Sequence, residues 1–187
     1  MELVKPTLIV VCGLPLSGKT TIAEKLAPKL GVEHRDVDND IRFPIFWRPP
    51  EQADLSERGK TRERNEMLSA YRVLLCAAEE FLGLGKSIVI TATFSRELYW
   101  DMTRRVMNNK PNAVLRVIQC QIGDDGDEKI WQRIKARGTH TVNSPEHYRE
   151  VRDRYIKSLP VQHCVIDTSS VDAVEQNVEK AAAYILN

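Results

Sequence analysis

Thr7-Leu8-Ile9-Val10-Val11-Cys12-Gly13-Leu14-Pro15-Leu16-Ser17-Gly18-Lys19-Thr20-Thr21 is the stretch whose reading decides the fold. Residues 7–12 form an uncharged, largely β-branched run, as expected of a strand buried on both faces. Residues 13–20 follow the spacing G-x-x-x-x-G-K-T, and 19–30 carry a helical pattern that Gly31 stops. A glycine-rich turn between a buried strand and a helix lets backbone N–H groups curl round a polyphosphate. The helix N-terminus adds partial positive charge there.

The turn is therefore read as a nucleotide-binding P-loop. Gly13, Leu14, Pro15, Leu16, Ser17, Gly18, Lys19, Thr20 and Thr21 are expected to hold the nucleotide. Lys19 would reach the β- and γ-phosphates, and Thr20 would offer its hydroxyl to Mg2+.

Outward from this turn, short β-branched runs alternate with helical patterns. Further strands are expected at 32–37, 87–91, 114–120 and 164–167. Helices are expected at 62–82, 96–108 and 127–137, from the Ser144 N-cap towards Ser158, and at 170–185. Such alternation predicts an α/β fold, a doubly wound parallel sheet of roughly five strands with helices on both faces. A single domain over 1–187 is expected. Two segments break the rhythm. Residues 43–60, rich in proline and charge, read as an acceptor-site insertion, and 133–145 as a lid.

The chain has 187 residues, with 27 Lys+Arg against 26 Asp+Glu and a formal charge of +1. That balance argues against a protein held on nucleic acid by bulk electrostatics, while leaving room for a local basic groove. A hydrophobic share of 42% argues against disorder. No apolar run approaches the ~18–20 residues of a membrane span, and the run at 8–12 is too short for a secretory leader. Cys12, Cys76, Cys120 and Cys164 lie far apart with no C-x-x-C pair. Reduced thiols in a cytoplasmic chain, monomeric or weakly oligomeric, are the expectation.

The segment His34-Arg35-Asp36-Val37-Asp38-Asn39-Asp40-Ile41-Arg42 ends the second expected strand. Residues two apart on a strand share a face, so Asp36 and Asp38 should point together towards the phosphate turn. Phosphoryl transfer to a hydroxyl needs one carboxylate to orient and deprotonate the acceptor and another to help hold the metal. Asp38 is the candidate for the first role. Asp36, acting through water beside Thr20, is the candidate for the second. Arg42 is a candidate to fix an acceptor phosphate or carboxylate. The plain alternative is Asp38 or Asn39 capping a helix at Asp40.

The third expected strand carries Thr91 where an aspartate ends the strand in many P-loop proteins, which tilts the reading from ATPase machine towards phosphotransferase. Arg133 and Arg137 are four apart and share a helical face where the lid begins. There they could neutralise the transferring phosphoryl and exclude water, or simply form a solvated basic face. Arg58, Lys60, Arg62 and Arg64, with Phe46 and Trp47, form either an acceptor groove or an ordinary polar surface. His140 is a further lid candidate for phosphate. Residues 167–170 either flank the adenine or cap the last helix.

Taken together, these segments resemble the small P-loop kinases related to polynucleotide kinase, with zeta-type toxins, chloramphenicol phosphotransferase and gluconate kinase as wider relatives. The spacing Asp36-x-Asp38-x-x-Ile41 also resembles shikimate kinase. The resemblance implies a three-layer P-loop kinase fold with a short lid and ATP·Mg2+ as donor. It also implies Lys19 and Thr20 at the phosphates and metal, Asp38 activating the acceptor, and Arg133 and Arg137 as lid arginines. In polynucleotide kinase the acceptor site has Asp three residues before Arg, a position held here by Asn39. The expected function is ATP-dependent phosphorylation of a hydroxyl, on a small molecule given the near-neutral charge. The 5′-hydroxyl of RNA or DNA is the alternative acceptor. A nucleotide-binding module or slow NTPase without acceptor transfer is the alternative of another class.

Overall fold

Five strands make one parallel sheet: β1 (Thr7–Cys12), β2 (Glu33–Asp36), β3 (Ile88–Thr91), β4 (Val114–Gln121) and β5 (Cys164–Asp167), in the order β2-β3-β1-β4-β5. The computed structural model describes residues 3–46, 56–123, 126–137, 142, 144–156 and 158–187, with backbone alone at 126, 127 and 137. Central β1 is buried along its whole length, as its uncharged composition requires. Its last residues face Thr91 on one side (from Val11) and Gln119 on the other (from Cys12). That register sets which side chains flank the phosphate turn.

Alternation along the strands splits the core in two. Leu8, Val10, Cys12, Ile88 and Ile90 pack against α3 (Glu57–Gly83) and α4 (Glu97–Asn109). Ile9, Val11, Val89, Ile118 and Ile166 pack against α1 (Lys19–Leu30) and α7 (Val174–Leu186) on the opposite face. After β3 the chain passes over β1 to reach β4, so the strand order reverses beside β1. A doubly wound sheet opens its ligand crevice at the carboxyl ends of strands around such a point.

A third, smaller cluster joins Leu16 of the phosphate turn to Ile130 and Ile134 of α5 (Gly126–Arg137), Val142, and Tyr148 of α6 (Pro145–Asp153). Ser144 caps α6 by accepting from His147 N at 3.2 Å, with Pro145 at its first position.

Several boundaries differ from the sequence expectation. β2 stops at Asp36, and 37–42 form a π-helical turn. The short α2 (Phe43–Phe46) follows, and α3 begins at Glu57, which takes 57–60 out of the expected insertion. Ser56 caps α3, its Oγ accepting from Gly59 N at 3.2 Å. α6 ends at Asp153 and α7 starts only at Val174, on an Ala173 cap without a side-chain bond, so 167–170 do not cap it. Residues 47–55, including Trp47, and 138–141, including His140, lie outside the described residues.

Candidate active site

The phosphate turn is shaped by backbone that only certain residues tolerate. Gly13 has φ +139°, and a Cβ added there would lie 2.2 Å from the Cys120 carbonyl oxygen, so no other residue fits. Leu16 adopts φ +66°, an unfavourable conformation for leucine that its burial in the third cluster offsets. Lys19 Nζ donates to Leu14 O at 2.8 Å, which holds the ammonium over the turn.

Two side chains fasten the turn to the far edge of the sheet. Thr168 Oγ1 lies 2.8 Å from Ser17 O and 2.9 Å from Gln121 O, and its single proton is shared between the two carbonyls. Arg133 spreads its guanidinium between Leu16 O, at 2.8 Å, and Thr168 O. The preceding Asp167 is held below the usual carboxylate range by hydrogen bonds from the Ser169 hydroxyl and backbone N–H.

On the other side, Asp36 gathers the polar groups. Its Oδ1 accepts from Asp38 N and Asn39 N at 3.0 and 2.9 Å, capping the π-helical turn. Its Oδ2 accepts from Thr91 Oγ1 at 2.6 Å and Thr20 Oγ1 at 3.3 Å. Asp40 Oδ2 accepts from Asp36 N at 2.6 Å. His34 Nε2 lies 2.9 Å from Thr91 Oγ1. A hydroxyl has one proton, and Thr91 gives it to Asp36, so His34 is the donor and carries its proton on Nε2. Burial pushes the His34 imidazole below its ordinary range, opposed by Asp36.

Asp38 pairs with Arg42 at 3.3 Å, their side chains 31% and 17% exposed, and Arg42 lies over the Phe43 ring. Burial lowers the Lys19 pKa, against the opposing pull of Cys120, Asp38 and Asp36. Through Thr20 and the Asp36 carboxylate the acidic turn is tied to the phosphate turn, but not for the expected reason. Asp38 is not on a strand. It arrives by the π-helical turn that Asp36 caps, so the capping residue is Asp36 rather than Asp38 or Asn39.

Thr91 stands against Asp36 as its donor rather than as a vacant carboxylate position. Arg133 contacts backbone carbonyls of the nucleotide-side loops. The Arg137 side chain lies outside the described residues. Thr21 is exposed on the first turn of α1. Phe46, Arg58 and Arg62 line one groove of about 650 Å3, with Glu57 and Glu66 beside them. Arg62 lies 3.9 Å from Glu66. Sequence reasoning missed His34 and the anchoring role of Thr168. His34 was within reach, since it precedes Asp36 by two on the same strand face.

A phosphate turn at the crevice of a β2-β3-β1-β4-β5 sheet defines a nucleotide-binding P-loop domain of the kinase type. Residues 9–157 match the family model described as an AAA domain, and the chain belongs to that family. A shikimate kinase of Salinispora tropica is 32% identical over 108 residues, 58% of this chain. The match spans 64% of that relative's length. A candidate kinase from Chloroflexus aurantiacus J-10-fl has a TM-score of 0.75 at 24% identity, covering 97% of this chain and 96% of its own. A gluconokinase from Sinorhizobium meliloti 1021 gives 0.61 at 19% identity, covering 96% and 91%. The Mycobacterium tuberculosis APS kinase gives 0.60 at 13%, covering 98% and 99%. These likenesses show the fold. Among the described residues no helix is long and apolar enough to cross a membrane.

Proposed function

We propose that the protein is an ATP-dependent phosphotransferase whose acceptor is a small-molecule hydroxyl. The observation that carries this reading is that Thr20, next to Lys19 in the phosphate turn, donates to Asp36, whose other carboxylate oxygen holds the Asp38 backbone N–H. Asp38 takes the acceptor proton, and Arg42 orients it through their ion pair. The acceptor oxygen forms its bond to the γ-phosphorus as the bond to the β–γ bridging oxygen breaks, and ADP leaves with that electron pair. Lys19 gathers charge on the phosphates. Arg133 holds the nucleotide-side loops together, and Arg137 serves as the lid arginine. The segment between α2 and α3 serves as the acceptor-side insertion and 133–145 as the lid, closing the crevice against water.

The Thr20 hydroxyl and the Asp36 carboxylate form an oxygen-only donor pair that fits Mg2+, which needs few protein ligands when phosphate and water supply the rest. Mg2+ bound there would neutralise charge on the β- and γ-phosphate oxygens. The polynucleotide alternative gains nothing from the groove beside α3, because its arginines sit among Glu57 and Glu66.

An acceptor screen with labelled ATP tests the reading. Asp38→Asn should lower kcat by about 100-fold or more with ADP affinity unchanged, whereas Asp101→Asn on the exposed side of α4 should behave as wild type. Asp40 is unsuitable as the control, since it bonds Asp36 N. If no hydroxyl compound or 5′-hydroxyl oligonucleotide accelerates ATP loss, the phosphotransferase reading fails and the nucleotide-binding module replaces it.

A further inference from the structure

We propose that the cavity between the phosphate turn, the end of β4 and α6 is the acceptor pocket, and that it selects a neutral polyhydroxy compound over a carboxylate or phosphate ester. This rests on the phosphotransferase reading above. The cavity holds about 320 Å3 and is lined by Gly13, Ser17, Gln119, Gln121, Tyr148 and Tyr155 among others. That is at the small end of small-molecule sites, suited to one sugar-sized compound rather than a length of nucleic acid.

Its position ties it to the reacting groups. Leu14, part of its lining, accepts from Lys19 Nζ at 2.8 Å, and Thr20, next to Lys19, donates to Asp36 at 3.3 Å. Ile156 N donates to Ser95 O at 3.1 Å, which docks the segment after α6 onto the loop after β3. That loop starts from Thr91, the donor to Asp36. The cavity and the acidic turn therefore flank one lysine, where an acceptor hydroxyl entering from the cavity would undergo the transfer written above.

The lining names the chemistry. Ser17 Oγ is buried and completes no hydrogen bond among the described residues, and Tyr155 Oη is buried with the Gln119 amide and the Cys12 thiol as its polar neighbours. A buried hydroxyl of this kind is costly until a ligand or another group satisfies it. Gln121 Nε2 donates to Gln119 Oε1 at 2.9 Å, which orients the two amides. Hydroxyls and carboxamides offer donors and acceptors together, the complement of another hydroxyl. A carboxylate only accepts, and would leave the acceptors of the wall unmatched. Burial pushes the Cys120 thiol up to about 12, so it adds no charge. Among the described residues the charged lining is Arg152, exposed and 3.4 Å from Asp153.

The test compares matched acceptors with labelled ATP: glucose, ribitol, mannitol and myo-inositol against gluconate, glucuronate and ribose 5-phosphate. A neutral compound should be used with kcat/KM about 10-fold or more above its charged counterpart. Tyr155→Phe should raise its KM about 10-fold, with ADP affinity within twofold and Tm unchanged. Gln119→Leu provides a second variant should the first fold poorly. Preference for a charged counterpart, or an unmoved KM in both folded variants, overturns the pocket while leaving the phosphotransferase standing. Absence of transfer to every member and to a 5′-hydroxyl oligonucleotide, with ADP binding intact, overturns both.

Discussion

Thr91 shows how one side chain can change the arithmetic of a site. An aspartate there would place a second carboxylate against Asp36, and two such groups so close cannot both ionise cheaply. Threonine instead donates to Asp36 at 2.6 Å and accepts from His34 at 2.9 Å, so a single carboxylate serves both positions. Thr91→Val keeps the shape and removes the hydroxyl, leaving His34 Nε2–H without that acceptor and Asp36 with one fewer donor. Global stability should fall by about 1–3 kcal/mol, read by urea denaturation. Thr91→Ser should recover most of the loss, and Thr91→Asp should be worse than valine at neutral pH. Equal stability for the valine and serine variants would refute the hydroxyl's role.

At the scale of elements, Arg133 joins three of them: α5, the phosphate turn, and the turn after β5. A guanidinium can bond two carbonyls at once from one rigid fork, and an ammonium cannot reproduce that geometry. Arg133→Lys should weaken ADP binding about 10-fold, one to two lost hydrogen bonds' worth, and lower hydrogen-exchange protection in 14–18 and 167–170. A lid arginine acting only on the transferring phosphoryl would instead lower kcat and leave ADP affinity alone, so calorimetry with ADP separates the roles. The helical periodicity that placed Arg133 and Arg137 on one face was legible, but the carbonyls that Arg133 meets are 117 and 35 residues away in sequence, beyond any local pattern. β1, the phosphate turn and α1 were legible because composition and context agree there. The end of β2 was not, because Asp36 bonds the backbone two and three residues ahead and curls the chain out of the sheet. The start of α3 was hidden similarly: residues 57–64 lack an apolar stripe, and only the Ser56 cap marks the helix.

Across the whole molecule, the phosphate turn is held from both halves of the sheet, by Thr20 and Asp36 towards β2 and by Thr168 and Arg133 towards β5. A nucleotide seated there should stabilise the domain as a unit. At a concentration of 100 times Kd the gain is about 2.7 kcal/mol, a Tm rise of about 5–10 °C for a chain of this length. Lys19→Met should abolish that rise by removing the charge that meets the phosphates. Its effect on the free protein has a different sign. Burial already disfavours the Lys19 ammonium, and the two acids near it have other partners, Arg42 for Asp38 and the two threonines for Asp36. What methionine loses is the bond to Leu14 O; what it gains is an apolar side chain in the same half-buried space. The free variant should therefore melt at or slightly above the wild-type temperature while showing no ADP shift in differential scanning fluorimetry. A free Tm lower by more than about 5 °C would instead make Lys19 a structural tie of the apo fold, and the charge would not be a cost carried for the sake of the ligand.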